Sequence, residues 1–151
     1  MTQIIRQPRI RVAAVILQED LLLLVRHKKA AETYWMLPGG GVDYGETLTE
    51  ALQRELQEEM CIEADIGPLL FANDSIAPDH HRHIVNLYFC ATIKSGTPRL
   101  VQDERVVEVA FHPVTSLHEI SLRPDFGETL QGLLQSASPV TVGYLGNIWR
   151  D

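Results

Sequence analysis

The chain has 151 residues, a net charge of −7 and 45% hydrophobic residues. That length supports one domain, residues 1–151, with a real core. The acidic balance excludes a large nucleic-acid interface and resists an anionic membrane surface. Cys61 and Cys90 are the two cysteines, with no paired spacing, which fits a reducing compartment. No apolar run is long enough to cross a bilayer, and MTQIIRQPRI lacks the apolar centre of a leader, so the expectation is a cytoplasmic protein.

In chain order, Arg9–Leu17 begins with alternation and becomes apolar, which predicts a strand buried on both faces or nearly so. Gln18–Asp20 is a turn, and Leu21–Arg26 reads as a second strand, hairpin-paired with the first. Arg26, His27, Lys28 and Lys29 follow at its end. They form either a solvated basic loop or a set of side chains placed to meet phosphates. Arg11, between Ile10 and Val12, is open to the same two readings. Trp35 and Leu37 anchor the entry to Pro38-Gly39-Gly40-Gly41. Such a run lets the backbone adopt unusual conformations and lets a ligand approach closely, although an ordinary tight turn has the same composition.

Thr47–Met60 contains good helix formers and no Gly or Pro, and acidic Glu46 precedes it. At 100° per residue, Leu48, Ala51, Leu52, Leu56 and Met60 share one apolar arc. Thr47, Glu50, Gln53, Arg54 and Gln57 lie largely on the other side. Glu55 and Glu59 are the anomaly, because they project within the apolar arc, with Glu58 near its edge. A glutamate run is often a solvated face, but here two carboxylates are turned toward the body of the domain. Buried carboxylates without a partner are costly, and adjacent ones need a cation. Glu55, Glu58 and Glu59 stand at i, i+3 and i+4, which brings the three together. All-oxygen ligation of this kind suits Mg²⁺ or Mn²⁺, and less specifically Ca²⁺.

Beyond the helix, Ile62–Asn73 reads as one or two strands broken at Gly67-Pro68, and Asp74–Arg82 as a polar loop. Asp79, His80, His81 and His83 invite a zinc site, but they lack the separated pairs of a structural one. His83–Ile93 alternates clearly: Val85, Leu87, Phe89, Ala91 and Ile93 on one face, Asn86, Tyr88, Cys90 and Thr92 on the other. Ser95–Pro98 is a turn, Leu100–Glu104 a short loop, and Val106–His112 a strand stopped by Pro113. A turn or short helix opens near Leu117, and Pro124–Ser136 reads as a terminal helix. The tail, Pro139–Asp151, is too apolar for a disordered end and can close the fold or form a subunit contact, such as a homodimer. About seven strands with helices on the sheet faces give an α/β or α+β class.

The stretch LPGGGVDYGETLTEALQRELQEEMCI, Leu37–Ile62, resembles the signature of the Nudix hydrolases. Gly40, Glu46 and the run Arg54-Glu55-Leu56-Gln57-Glu58-Glu59 carry the spacing. The resemblance implies an α/β/α sandwich with a mixed central sheet. It also implies metal-dependent attack of water on a phosphoanhydride in a nucleoside diphosphate linked to another moiety. It implies a metal site of Gly39 (through its carbonyl), Glu55, Glu58 and Glu59, and a brace of Gly40, Glu46 and Arg54. The general base is then Glu58 on the helix or a distal acid, Glu104, whose register is ambiguous with Asp103 and Glu108. Pro78, sixteen residues past the signature, resembles the ADP-ribose pyrophosphatase subgroup; with Arg11 and Arg26 it is a substrate-contact candidate. Nucleoside triphosphates, oxidised ones included, are the second substrate class. A non-catalytic nucleotide sensor is the rival of another kind, although such sensors typically lose one helix carboxylate. Cys61 departs from the glycine usual there, a change at the helix cap rather than at a ligand.

Overall fold

A computed structural model describes residues 6–101, 105–136 and 143–149. Two sheets lie between two helices. The first sheet has strand order β5-β1-β7-β6-β9. Its strands are β1 (Arg9–Val15), β5 (Gly39–Gly41), β6 (Glu63–Ile76), β7 (His83–Ser95) and β9 (Tyr144–Asn147). It is mixed, since β1 runs parallel to β7 and antiparallel to β5. The second sheet joins β2 (Leu17–Gln18), β3 (Leu21–Lys29), β4 (Glu32–Met36) and β8 (Val106–Pro113). Helix α1 (Leu48–Met60) packs on one side, while a 3₁₀ turn (Val114–Glu119) and α2 (Gly127–Gln135) pack on the other. The mixed α+β class therefore holds.

Alternation decides which side each residue serves. Val12, Ala14, Leu23, Val25, Phe89 and Ala91 join the core beneath α1. Ala13, Val15, Leu22, Leu24 and Tyr88, one residue out of phase, join the core beneath α2. On α1, Ala51, Leu52, Leu56 and Met60 are fully buried. Full burial of each large side chain contributes roughly 1.5–3 kcal/mol. The start is sharp because Thr47 and Glu50 form a reciprocal capping box, each side chain bonded to the other's backbone N–H.

Several expected boundaries move. The expected hairpin between the first two strands shrinks to β2 on β3, Leu17↔Leu22 and Gln18↔Leu21. β1 is paired with β5 on one edge and β7 on the other, so both its edges are taken within the first sheet, and the chain changes sheets at Ile16. The basic cluster 26–29 is strand rather than loop, paired with β4 around a turn at Ala30. Gly67-Pro68 does not end a strand; β6 runs through it with register shifts. Asp74, Ser75 and Ile76 belong to β6, and the polar loop reduces to 77–82. Among the described residues nine strands replace about seven, partly because the tail supplies β9.

Helix α1 ends on Cys61, whose backbone is left-handed at φ 58° and ψ 36° and whose N–H donates to the Gln57 carbonyl at 3.0 Å. A side chain there costs roughly 1–2 kcal/mol, and glycine loses part of that advantage through unfolded-state entropy. Cys61→Gly is expected to stabilise the fold by about 0.5–1 kcal/mol, a melting rise of about 1–4 °C. An unchanged or lower melting temperature would mean that the thiol contributes packing worth as much as the strain.

Candidate active site

The signature helix is set against the glycine strand by contacts that leave no room for side chains. A Cβ on Gly39 would lie 1.9 Å from the Val12 carbonyl oxygen, so β5 presses directly on β1. A Cβ on Gly40 would lie 2.2 Å from Glu55 Cδ. The carboxylate of Glu55 thus occupies the space that the missing side chain leaves. One helical turn on, Glu59 Oε1 accepts the Gly39 N–H at 3.3 Å. The two inward glutamates of the wheel are partly buried, and both meet the glycine strand.

Arg54 ties this arrangement together. Its Nε and Nη2 donate to the two oxygens of Glu46, both at 2.8 Å, and Nη2 also reaches the Gly41 carbonyl at 3.0 Å. Nη1 donates to Glu55 at 2.9 Å and Glu58 at 3.2 Å. A planar guanidinium can serve these acceptors at once, which an ammonium cannot. Hydrogen bonds from Arg54, then from the Asp43 N–H, hold the Glu46 carboxyl down to about 2. The same carboxylates, Glu46 before Glu55, push Arg54 upward.

Glu58 shares Arg54 Nη1 with Glu55, so these two carboxylates meet on one guanidinium nitrogen. The Glu58 side chain is 61% exposed and turned onto Arg54. Among the described residues, no three His, Cys, Asp or Glu side chains converge as a ready metal cage. Neighbouring carboxylates repel, and Arg54 at i−4 offers Glu58 the nearer opposite charge. The donors at hand are nevertheless all hard oxygens: the carboxylates of Glu55, Glu58 and Glu59 and the backbone of the glycine strand. That set fits Mg²⁺ or Mn²⁺ and does not favour zinc. His80, His81 and His83 do not assemble either: His81 pairs with Asp79, and His83 Nε2 meets Asp74 Oδ1 at 3.0 Å.

The remaining candidates are dispersed. Arg11 donates to the Leu37 carbonyl at 2.8 Å, so it braces the entry to the glycine strand. Arg26 lies over the Trp35 ring at 5.7 Å and faces Glu108 at 3.3 Å. Trp35 also meets the His112 ring edge-on at 4.2 Å, so it packs within the second sheet. This engages Glu108 with an arginine. Asp103 and Glu104 lie outside the described residues. Pro78 is exposed in the 77–82 turn. Sequence reading missed the Arg26–Glu108 pair, because it crosses two strands whose pairing has no local signal.

The model of the NUDIX domain matches residues 7–133. The chain belongs to the NUDIX domain family. A crystal structure of MutT NUDIX hydrolase from Burkholderia pseudomallei superposes with a TM-score of 0.74 at 29% identity, over 84% of this chain and 98% of that one. The ADP-ribose pyrophosphatase of Methanocaldococcus jannaschii is 28% identical over 102 residues, 67% of this NUDIX chain and 60% of the relative. The human 8-oxo-dGDP phosphatase NUDT18 is 33% identical over 102 residues, 66% of this chain and 30% of the relative. The matched region thus spans less than two thirds of either protein. No helix among the described residues is long and apolar enough to cross a membrane.

Proposed function

We propose that this NUDIX chain hydrolyses the phosphoanhydride of a nucleoside diphosphate linked to another moiety, with ADP-ribose or a nucleotide-sugar as substrate. The carrying observation is the seating of Glu55 and Glu59 on the Gly39–Gly40 backbone. Glu55, Glu58, Glu59 and the Gly39 carbonyl would hold the divalent ions. When bound, Mg²⁺ or Mn²⁺ screens the substrate's negative charge and makes water a better nucleophile. The chain's own residues do the rest. Arg54 fixes the directions of Glu55 and Glu58, and Glu46 fixes Arg54. Glu58, the exposed member, is held by Arg54 where a water can approach it and would take a proton from that water; Glu104 is the distal alternative. The half-exposed guanidinium of Arg26 can meet a substrate phosphate. Residues 1–151 would work as one domain in the cytoplasm, a reducing compartment that suits the free Cys61 and Cys90.

ADP-ribose is favoured by exposed Pro78 and by the name of the archaeal relative. A second reading, an oxidised nucleoside di- or triphosphate, is favoured by the human relative at 33% identity. A sensor without turnover is disfavoured by the retention of all three helix carboxylates. The deciding experiment is a product screen over ADP-ribose, nucleotide-sugars, 8-oxo-dGDP and nucleoside triphosphates. Chelation is expected to abolish turnover and added Mg²⁺ or Mn²⁺ to restore it. Turnover that survives chelation, or no turnover on any of these, would end the proposal.

A further inference from the structure

The edge strand β9 pairs irregularly with its sheet, although Ala72 N–H donates to the Gly143 carbonyl at 3.2 Å and Leu145 and Ile148 pack on the core. Its parallel pairing to β6 consists of Ala72↔Tyr144 and Asp74↔Asn147, with a register shift between them. Parallel pairing is already the weaker kind per residue. Side chains compensate. One carboxylate, Asp74, accepts the Tyr144 hydroxyl from β9 on one oxygen and meets His83 of β7 on the other. Tyr144 first, then His83, hold the Asp74 carboxyl below its ordinary range. The Asp74 carbonyl also takes the Ile148 N–H at 2.8 Å, and Asn147 Oδ1 takes the Ile76 N–H at 2.9 Å. Tyr144 is 67% exposed, so burial does not account for its placement.

What β9 carries forward is Trp149, whose ring meets His81 edge-on at 5.8 Å. His81 belongs to the turn 77–82, which also holds exposed Pro78. That turn is closed by Ala77 N–H to the Arg82 carbonyl and His80 N–H to the Ala77 carbonyl. It stands at the end of the sheet where Ile84 pairs with Arg9 and Arg11 with Gly41. It is therefore about two strand spacings across and about four residues along the strands from the level of Gly41, roughly 16 Å from the end of the glycine strand. A nucleoside diphosphate joined to a second group is long enough to bridge that gap.

We propose that Asp74, Tyr144 and Asn147 form a latch that holds β9 and, through Trp149 on His81, fixes the 77–82 turn against the non-reacting end of the substrate. All three are positioning residues, and their role rests on the hydrolase reading above. Tyr144→Phe removes the hydroxyl and keeps the ring; Asp74→Asn keeps the shape and removes the charge. Hydrogen exchange is expected to quicken about tenfold at the amides of both 143–149 and 77–82. KM for ADP-ribose is expected to rise about fivefold while kcat stays within about twofold, the split of lost binding rather than lost chemistry. Faster exchange in 143–149 with 77–82 unchanged would overturn the latch, as would a fall in kcat at constant KM. If the unaltered protein turns over no nucleotide, the hydrolase reading fails by itself, and the exchange data alone judge the latch.

Discussion

Glu59→Gln is expected to lower kcat/KM by about a hundredfold or more, with the fold intact. The substitution is nearly isosteric, and glutamine Oε1 can still accept the Gly39 N–H, a contact of 3.3 Å in the unaltered protein. What disappears is the negative charge placed against the glycine strand. Glu59 shares the helix with Glu55 and Glu58, and like charges repel, so losing one charge relieves part of that repulsion. Stability should therefore hold or rise while turnover collapses, and that opposition marks a carboxylate kept for chemistry. Glu58→Gln should also remove most turnover. Its side chain is largely exposed, so its melting temperature should barely move. Steady-state kinetics and thermal melts of both variants check the claim. Near-normal turnover in both would defeat the assignment of the helix carboxylates.

Arg54→Lys is expected to cost about 10–100-fold in turnover, the usual scale for a residue that orients metal-binding groups. Lysine keeps the charge, yet one ammonium cannot reach Glu46, Glu55, Glu58 and the Gly41 carbonyl together. The same variant carries a signature in acid. The folded Glu46 carboxyl, at about 2, lies below its ordinary value of 4.5. Its contribution to stability is therefore complete above about pH 4.5 and is lost as the pH falls toward 2. Without the guanidinium fork this depression shrinks, so the acid loss of stability attributable to Glu46 should shrink with it. Melting temperatures from pH 6 to pH 2 for the two proteins measure the difference. Matching acid profiles together with matching kinetics would show that Arg54 braces nothing that matters.

The two predictions draw on different kinds of information. The positions of Glu55 and Glu59 on one helical arc follow from 3.6 residues per turn, so spacing alone turned them inward. The brace of Glu46 with Arg54 came from the family resemblance and the Arg54–Glu58 pair from its i, i+4 spacing; the contacts of Arg54 with Glu55 and Gly41 came only from the tertiary structure. The bidentate geometry and the reach to Gly41 depend on where β5 lies. Glu58 was expected beside its neighbours, and Arg54 holds it and Glu55 on one nitrogen.

By itself the sequence determined what is local: the length and inward face of α1 and the two faces of β7. The glycine run, expected as a loop, becomes a strand only because β1 pairs with it, and the left-handed cap at Cys61 is one of the two endings the sequence allowed. Only the tertiary structure decided which strands are neighbours. It moved the chain from one sheet to the other at Ile16, extended β6 through Asp74, and set Arg26 on Glu108 and Asp74 on Tyr144. The physical reason is that periodicity reports which face of an element is buried. A strand's backbone bonds are the same with any partner, so its neighbour is chosen by the packing of the whole core.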